Sequence, residues 1–287
     1  MIILILVLGL VLRLISLDQS LWLDEAISAL AARDYSFLGI IKDFLPGDTH
    51  PPLYYMTLKL WSLVFGFSEI SLRMPSVLFG VLTIFVVYKI CKLVNFKIHL
   101  KFGFWILEFP EVAAILLATS GLHLYYSQEV RMYAFSTLLV SLLIYFFLKN
   151  DWVEFSLALL FLGMTDYLPL LIIPVLWIYS AISNKTKVWW KKFGLAHVPL
   201  LIFLFLWFPT FIQQSMGSQI ALISFPAWEE LLGKAHLKEF ALVWVKFIIG
   251  RISFEPTIFY IEIVLLSSIL FGYPLIKSLA KSVLFRL

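Results

Sequence analysis

Apolar residues fall into eight long stretches separated by short polar breaks: Ile2–Leu17, Pro75–Val94, Val112–Tyr125, Met132–Leu148, Val153–Met164, Leu168–Ile182, Leu195–Phe211 and Ile258–Ile276. A membrane-crossing helix needs about 20 apolar residues, with a working range of about 17–25. The pattern therefore predicts an all-α polytopic membrane protein with about eight transmembrane helices. A ninth apolar segment, Leu53–Phe67, carries Lys59 in its middle. It reads either as a crossing or as a helix lying at the membrane surface.

The placement of charge decides between the two. If Leu53–Phe67 does not cross, Lys89, Lys92, Lys97, Lys101, Lys149, Lys185, Lys187, Lys191, Lys192, Lys277, Lys281 and Arg286 all fall on one side. By the positive-inside rule that side is the cytoplasm. The expected topology thus has both termini inside and Leu53–Phe67 as an interfacial helix in the first extracytoplasmic loop. That loop covers residues 18–75; the last outer loop covers 213–256, with a Ser/Gly/Gln-rich start at Gln213–Gln219 and an amphipathic segment at Phe240–Ile249. Short outer connections lie around His123–Arg131 and at Asp166.

Composition agrees. The chain is 62% hydrophobic and 14% charged, against about 25% charged in soluble domains, and its mean hydropathy is +0.96. One membrane domain over 1–287 is expected. The net charge of +4 is spread among apolar runs, which suits membrane orientation and not nucleic-acid binding. The lone Cys91 excludes an intrachain disulfide and a thiolate metal cluster. Asn184-Lys185-Thr186 matches a glycosylation acceptor pattern but falls in an expected cytoplasmic loop. No basic residue precedes the first apolar run, and Ser16-Leu17-Asp18 is not a small-x-small cleavage site, so this run reads as a retained span. The sequence has no G-x-G-x-x-G, Walker loop, G-x-S-x-G, H-E-x-x-H or D-x-D, which excludes most nucleotide-driven and zinc-protease chemistry.

The polar residues that remain cluster at the outer ends of the spans. Asp24-Glu25 follow the first span; they can cap a helix through its dipole, or take a proton or cation beside a lipid-borne substrate. Thr49-His50-Pro51-Pro52 fits the start of a helix, with prolines in its first turn and His50 extended before them. Tyr125–Ala134 is the richest polar island. Glu129 and Arg131 are two apart and do not face each other on a helix, so Arg131 can offer its planar fork to a phosphate, or snorkel to the interface. Asp166 stands between two apolar runs, where it can cap the run from Leu168. Trp207–Gln214 reads as a span end with an interfacial aromatic, and Glu108-Phe109-Pro110-Glu111 as a helix start.

Taken in order, Leu21–Ser28, His50-Pro51-Pro52-Leu53-Tyr54-Tyr55, Ser68-Glu69-x-x-Leu72-Arg73-x-Pro75-Ser76 and Ser127-Gln128-Glu129-x-Arg131-Met132-Tyr133-Ala134 resemble the lipid-phosphate-sugar-dependent membrane glycosyltransferases of the C-type superfamily. The resemblance is to the branch of protein O-mannosyltransferases and aminoarabinose transferases (glycosyltransferase family 39-like), and covers roughly Leu12 to Gln214. It implies an active site facing outside at the plasma membrane, a polyprenyl-phosphate-linked sugar donor, and a lipid, glycan or protein acceptor. By that resemblance Asp24 is the general base, Arg131 holds the donor phosphate with His50 at the same cavity, and Glu25, Glu129, Tyr133 and Asp166 support them. A divalent cation, if used, would take Glu25, Glu129 and His50. Relatives often carry His where this chain has Asp166, and run longer, with more spans. A non-catalytic lipid-binding or lipid-flipping protein of the same fold is the alternative, and an assembly scaffold a third reading.

Overall fold

The computed structural model describes residues 1–94, 99–102, 105–183, 185–224, 237–250, 255 and 257–284. Its helices are α1 (Ile2–Leu14), α2 (Leu23–Asp34), α3 (Leu53–Phe65), α4 (Glu69–Val94), α5 (Phe109–Thr119), α6 (Gly121–Tyr126), α7 (Tyr133–Lys149), α8 (Trp152–Thr165), α9 (Ile172–Ile182), α10 (Lys187–Leu195), α11 (Val198–Ser224), α12 (Leu237–Ile249) and α13 (Thr257–Leu284). A hairpin of β1 (His99–Phe102) and β2 (Trp105–Glu108), with Phe102 opposite Trp105, joins α4 to α5. The fold is all-α apart from that hairpin. Lys97 and Arg286, both used to orient the chain, lie outside the described residues.

Each of the eight expected spans has a helix. Among the described residues, two helical stretches, Glu69–Val94 and Lys187–Ile220, are long and apolar enough to cross a membrane by themselves, and six further apolar stretches, among them Thr257–Leu270 of α13, run to 10–17 residues. Three of the departures from the hydropathy reading have a clear local reason. Helix α4, at the second expected span, starts at Glu69, not Pro75, and takes Pro75 inside. Proline has no N–H to give Ser71 four residues back, and the Trp61 indole bonds that Ser71 carbonyl instead at 2.8 Å. The expected span Val112–Tyr125 is two helices, broken at Ser120, which caps α6 by accepting the His123 N–H. Gln213–Gln219, expected to open a loop, continue α11 to Ser224; Gln and Met are good helix formers, and Gln214 is buried.

Three apolar clusters hold the fold. The first lies under the first loop and joins Ala31, Ala32, Leu45, Tyr54, Tyr55, Leu58, Leu72, Met132 and Trp207. The second joins α7, α8, α10 and α11 around Phe193. The third packs Ile5 of α1 on Ile84 and Tyr88 of α4 and on Ala114 and Ala118 of α5. Helix α3 buries Tyr54, Tyr55, Leu58 and Ser62 and leaves Leu60, Leu63 and Val64 exposed. It ends at Gly66, whose φ of 79° is the left-handed stop that glycine adopts without strain.

Candidate functional site

The first turn of α2 carries Asp24 and Glu25, and the two carboxylates have opposite surroundings. Glu25 is 1% exposed. Its Oε2 accepts from the Trp22 N–H (3.2 Å) and Arg73 Nη2 (2.7 Å), and its Oε1 from Arg73 Nε (3.1 Å) and the Val130 N–H (2.8 Å). The Trp22 bond is the return half of a capping box. Arg73, near the start of α4, spends its remaining N–H groups on the carbonyls of Leu17 (2.8 Å), Gln19 (2.6 Å) and Ser20 (3.4 Å). The pair therefore ties the exit of α1, the cap of α2 and the loop before α7 to one point on α4. The Asp24 side chain is half-buried, and its carboxylate makes no hydrogen bond among the described residues.

The loop Ser127–Met132 is pinned from three sides. Gln128 Nε2 donates to the carbonyls of Arg13 (3.2 Å) and Ile15 (2.7 Å) at the end of α1. Ser76 of α4 donates to the carbonyl of Glu129 (2.6 Å) and more weakly to that of Arg131 (3.4 Å). The Val130 N–H is held by Glu25. Arg131 is thereby fixed 5% exposed. Its Nη1 lies 3.5 Å from the Asp24 carbonyl, its guanidinium lies over the Tyr133 ring at 5.8 Å, and its Nε–H has no acceptor among the described residues. Burial works against its charge, but the facing Tyr55, Tyr133 and Asp24 outweigh it and keep Arg131 a cation.

Tyr55 and Asp166 link this loop to the turn at 45–50, which presents His50. Asp48 Oδ1 accepts both the His50 backbone N–H (2.8 Å) and the imidazole Nδ1 (2.9 Å). Burial pushes the Asp48 carboxyl up, yet the bonds and charge of His50 outweigh it and hold it below the usual range. Tyr55 faces Asp48 and Tyr54 faces Ser76; neither hydroxyl closes a well-formed hydrogen bond. Asp166 ends α8 and accepts the Leu168 N–H at 3.2 Å. Burial raises its carboxyl despite that bond and the nearby charges of His50 and Arg131. A third set of bonds runs from α11: Trp207 Nε1 donates to the Tyr167 hydroxyl (2.8 Å), which donates to Gln214 Oε1 (2.7 Å). Gln214 Nε2 then donates to the carbonyls of Leu45 and His50, both at 2.9 Å.

Asp24, His50, Arg131, Tyr133 and Asp166 thus share one neighbourhood. Glu25 lies behind it as a brace, and Glu129 is buried with its carbonyl on Ser76. The candidate cation ligands do not form a donor set. Each Glu25 oxygen already accepts two hydrogen bonds, His50 Nδ1 is held by Asp48, and among the described residues no three His, Cys, Asp or Glu side chains converge. Sequence reasoning gave no role to Asp48, Arg73 or Gln214. Asp48 had a local signal, since an Asp two residues before a residue in a turn often bonds its backbone N–H. The Arg73–Glu25 and Gln214–His50 contacts join residues 48 and 164 positions apart and have none.

An arrangement with a carboxylate free to take a proton, beside a fixed buried cation, is suited to activating a hydroxyl next to a phosphate. No curated protein matches the chain. Residues 49–212, more than half of its length, match the family described as dolichyl-phosphate-mannose-protein mannosyltransferase. That segment holds His50, the Arg73 helix start and the Arg131 loop, and the chain belongs to this family of membrane-integral glycosyltransferases.

Proposed function

We propose that the protein transfers a sugar from a polyprenyl-phosphate-linked donor to an acceptor hydroxyl at the outer face of the plasma membrane, with inversion at the anomeric carbon. The observation that carries this reading is the contrast between the two neighbouring acids. Glu25 is saturated with hydrogen bonds, whereas Asp24 keeps its carboxylate free and half-buried beside Arg131. In the step, Asp24 takes the proton of the acceptor hydroxyl while that oxygen forms a bond to the anomeric carbon. The bond from that carbon to the phosphate oxygen breaks on the opposite face, which inverts the centre, and the polyprenyl phosphate leaves with the electron pair. Arg131, with His50 nearby, holds that phosphate and stabilises the charge it gains. No residue need form a covalent sugar intermediate. In the eight-crossing topology proposed from the lysine-rich connections, this site faces the outer leaflet, where a lipid-anchored donor presents its phosphate.

The test uses purified protein, dolichyl-phosphate mannose carrying a radiolabel, and dolichyl phosphate alone as a binding probe. A charge-assisted hydrogen bond contributes about 1.5–3 kcal/mol, so Arg131→Ala is expected to weaken dolichyl-phosphate binding roughly tenfold to a hundredfold while the protein stays folded. Unchanged affinity in the folded variant removes Arg131 from the donor site. Binding without any release of labelled sugar, to water or to membrane acceptors, favours the lipid-binding alternative. For topology, Asp43→Cys is expected to react with a membrane-impermeant thiol reagent in intact cells and Lys191→Cys to be protected; the reverse pattern overturns the outer-face assignment.

A further inference from the structure

We infer that Gln214 is a positioning residue for the donor-phosphate site: one amide on α11 sets where His50 stands. The inference rests on the reading of His50 as a phosphate contact. The turn at 45–50 has no regular ladder to hold it. The π-helical segment before it ends at Phe44, its own 3-10 segment ends at Gly47, and the chain then extends through Asp48 to the proline pair. The turn therefore needs support from outside, and Gln214 supplies it at both ends. Its Nε2 donates to Leu45 at the start and to His50 at the finish, each at 2.9 Å. Both N–H groups of the amide are used, and its Oε1 is used as well, by the Tyr167 hydroxyl. The Tyr167 hydroxyl accepts in turn from Trp207, so the amide is held in one orientation. Gln214 is 3% exposed, and Leu45 is fully buried beneath the turn. Asp48 then sets the His50 ring from within the turn. The side-chain chain is a bracket, fixed to a long helix, that positions the backbone from which His50 projects.

A glutamine serving only stability would affect how much protein is folded, not how tightly the folded fraction binds. The measurement is therefore dolichyl-phosphate affinity, normalised to the number of binding sites. Gln214→Leu, similar in volume but without the amide, leaves the Leu45 and His50 carbonyls without their donor. It is expected to weaken affinity about fivefold to thirtyfold. Gln214→Glu keeps an acceptor for Tyr167 but offers at most one O–H to the two carbonyls, and is expected to weaken affinity as well. Trp207→Phe frees only the far end of the chain and is expected to weaken affinity less than either. The decisive arm is a double-mutant cycle. If Gln214 acts through His50, adding Gln214→Leu to His50→Ala causes little further loss, because residues that act as a unit are not additive. Full additivity, or unchanged affinity in folded Gln214→Leu, overturns the inference. Should His50→Ala and Arg131→Ala both bind dolichyl phosphate as well as the unmodified protein, the proposed donor site itself fails, a result separable from failure of the bracket alone.

Discussion

Around Phe193, the helices α7, α8, α9 and α10 meet through rings. Phe193 is fully buried, with the rings of Phe147, Trp152, Phe155, Trp177, Trp189, Trp190 and His197 all within 6.0 Å of its own. Its few polar contacts close on themselves: His197 Nδ1 donates to the Phe193 carbonyl at 2.7 Å, leaving Nε2 to accept from Trp177 at 3.4 Å. Around Arg73, by contrast, the helix ends meet through directional bonds to carbonyls and one carboxylate. Ring packing tolerates small shifts, because each contact is weak and the sum is shared. The Arg73 network does not, because removing one partner leaves several buried polar groups unsatisfied. In a membrane, where no hydrophobic drive pulls helices together, ring packing gives a scaffold, and the bonded region gives fixed positions. The candidate chemistry lies in the second region. The open groove lined by Trp152, Val153, Leu157 and Lys192 in the first shares no residue with it.

The sharpest way to break this comparison is within the bonded region itself, at its two adjacent acids. Asp24→Asn is nearly isosteric and removes only the proton acceptor, so labelled-mannose transfer is expected to fall by about 10²–10⁴. Dolichyl-phosphate affinity and thermal stability in detergent are expected to hold. Glu25→Gln should do the opposite and lower stability first, since one of its oxygens becomes a donor facing Arg73 or the Val130 N–H. Transfer at the unmodified rate by Asp24→Asn would place the base elsewhere.

Arg73 tests the structural side of the contrast. Arg73→Met leaves Glu25 charged and buried without its partner, a situation that typically costs about 3–5 kcal/mol. The double variant Arg73→Met with Glu25→Leu removes both charges, and apolar replacements of a buried pair are often close to neutral. It still strands the Leu17, Gln19 and Val130 groups. We therefore expect it to unfold at a higher temperature than Arg73→Met alone and a lower one than the unmodified protein. A double variant less stable than the single one would show that the bonds Glu25 accepts from the Trp22 and Val130 N–H groups outweigh the cost of leaving its charge unpaired.

Among the described residues, each apolar run marked by hydropathy holds a helix, because backbone groups within a long apolar run need partners inside the run itself. Where the helices end was less legible. Pro75 looks like a boundary until Trp61 takes the Ser71 carbonyl, and Ser120 looks like part of a span until it caps the next helix. The candidate site divides in the same way. Asp24, His50 and Arg131 stand out because polar side chains at the ends of apolar runs need a reason. The brace formed by Glu25, Arg73 and Val130 does not stand out, because it closes contacts 48 and 105 residues long. No periodicity reports a contact of that kind, and only the fold brings the partners together.

Two glycines give the smallest effect and the finest comparison, because each sits inside a helix with its missing side chain aimed at one of the two regions. Replacing a mid-helix glycine by alanine gains about 0.8–1 kcal/mol in helix propensity, so each substitution weighs the same gain against local crowding. A methyl at Gly163 of α8 meets a Leu200 methyl and, at 3.8 Å, the methyls of Leu170. These are the ends of flexible side chains in an apolar region and can swing aside. A methyl at Gly80 of α4 meets the Ser127 hydroxyl, Ser127 Cβ at 2.8 Å and Arg13 Nε at 2.9 Å. Neither neighbour can yield. Arg13 is fully buried and bonded to the carbonyls of Gly9 and Ala118 and to His123, and the Ser127 hydroxyl is bonded to the His123 carbonyl. Crowding a well-packed position typically costs about 1–3 kcal/mol. Gly163→Ala is therefore expected to fall within about 1 kcal/mol of the unmodified protein, a little above or below it, since the propensity gain is of the same size. Gly80→Ala should be net destabilising. Because Ser127 begins the loop that holds Arg131, Gly80→Ala should also weaken dolichyl-phosphate binding, an effect that Gly163→Ala should not share. Equal loss of binding in the two variants would mean that the scaffold and the bonded region are not mechanically distinct, and that the position of Arg131 depends on the packing of the whole bundle.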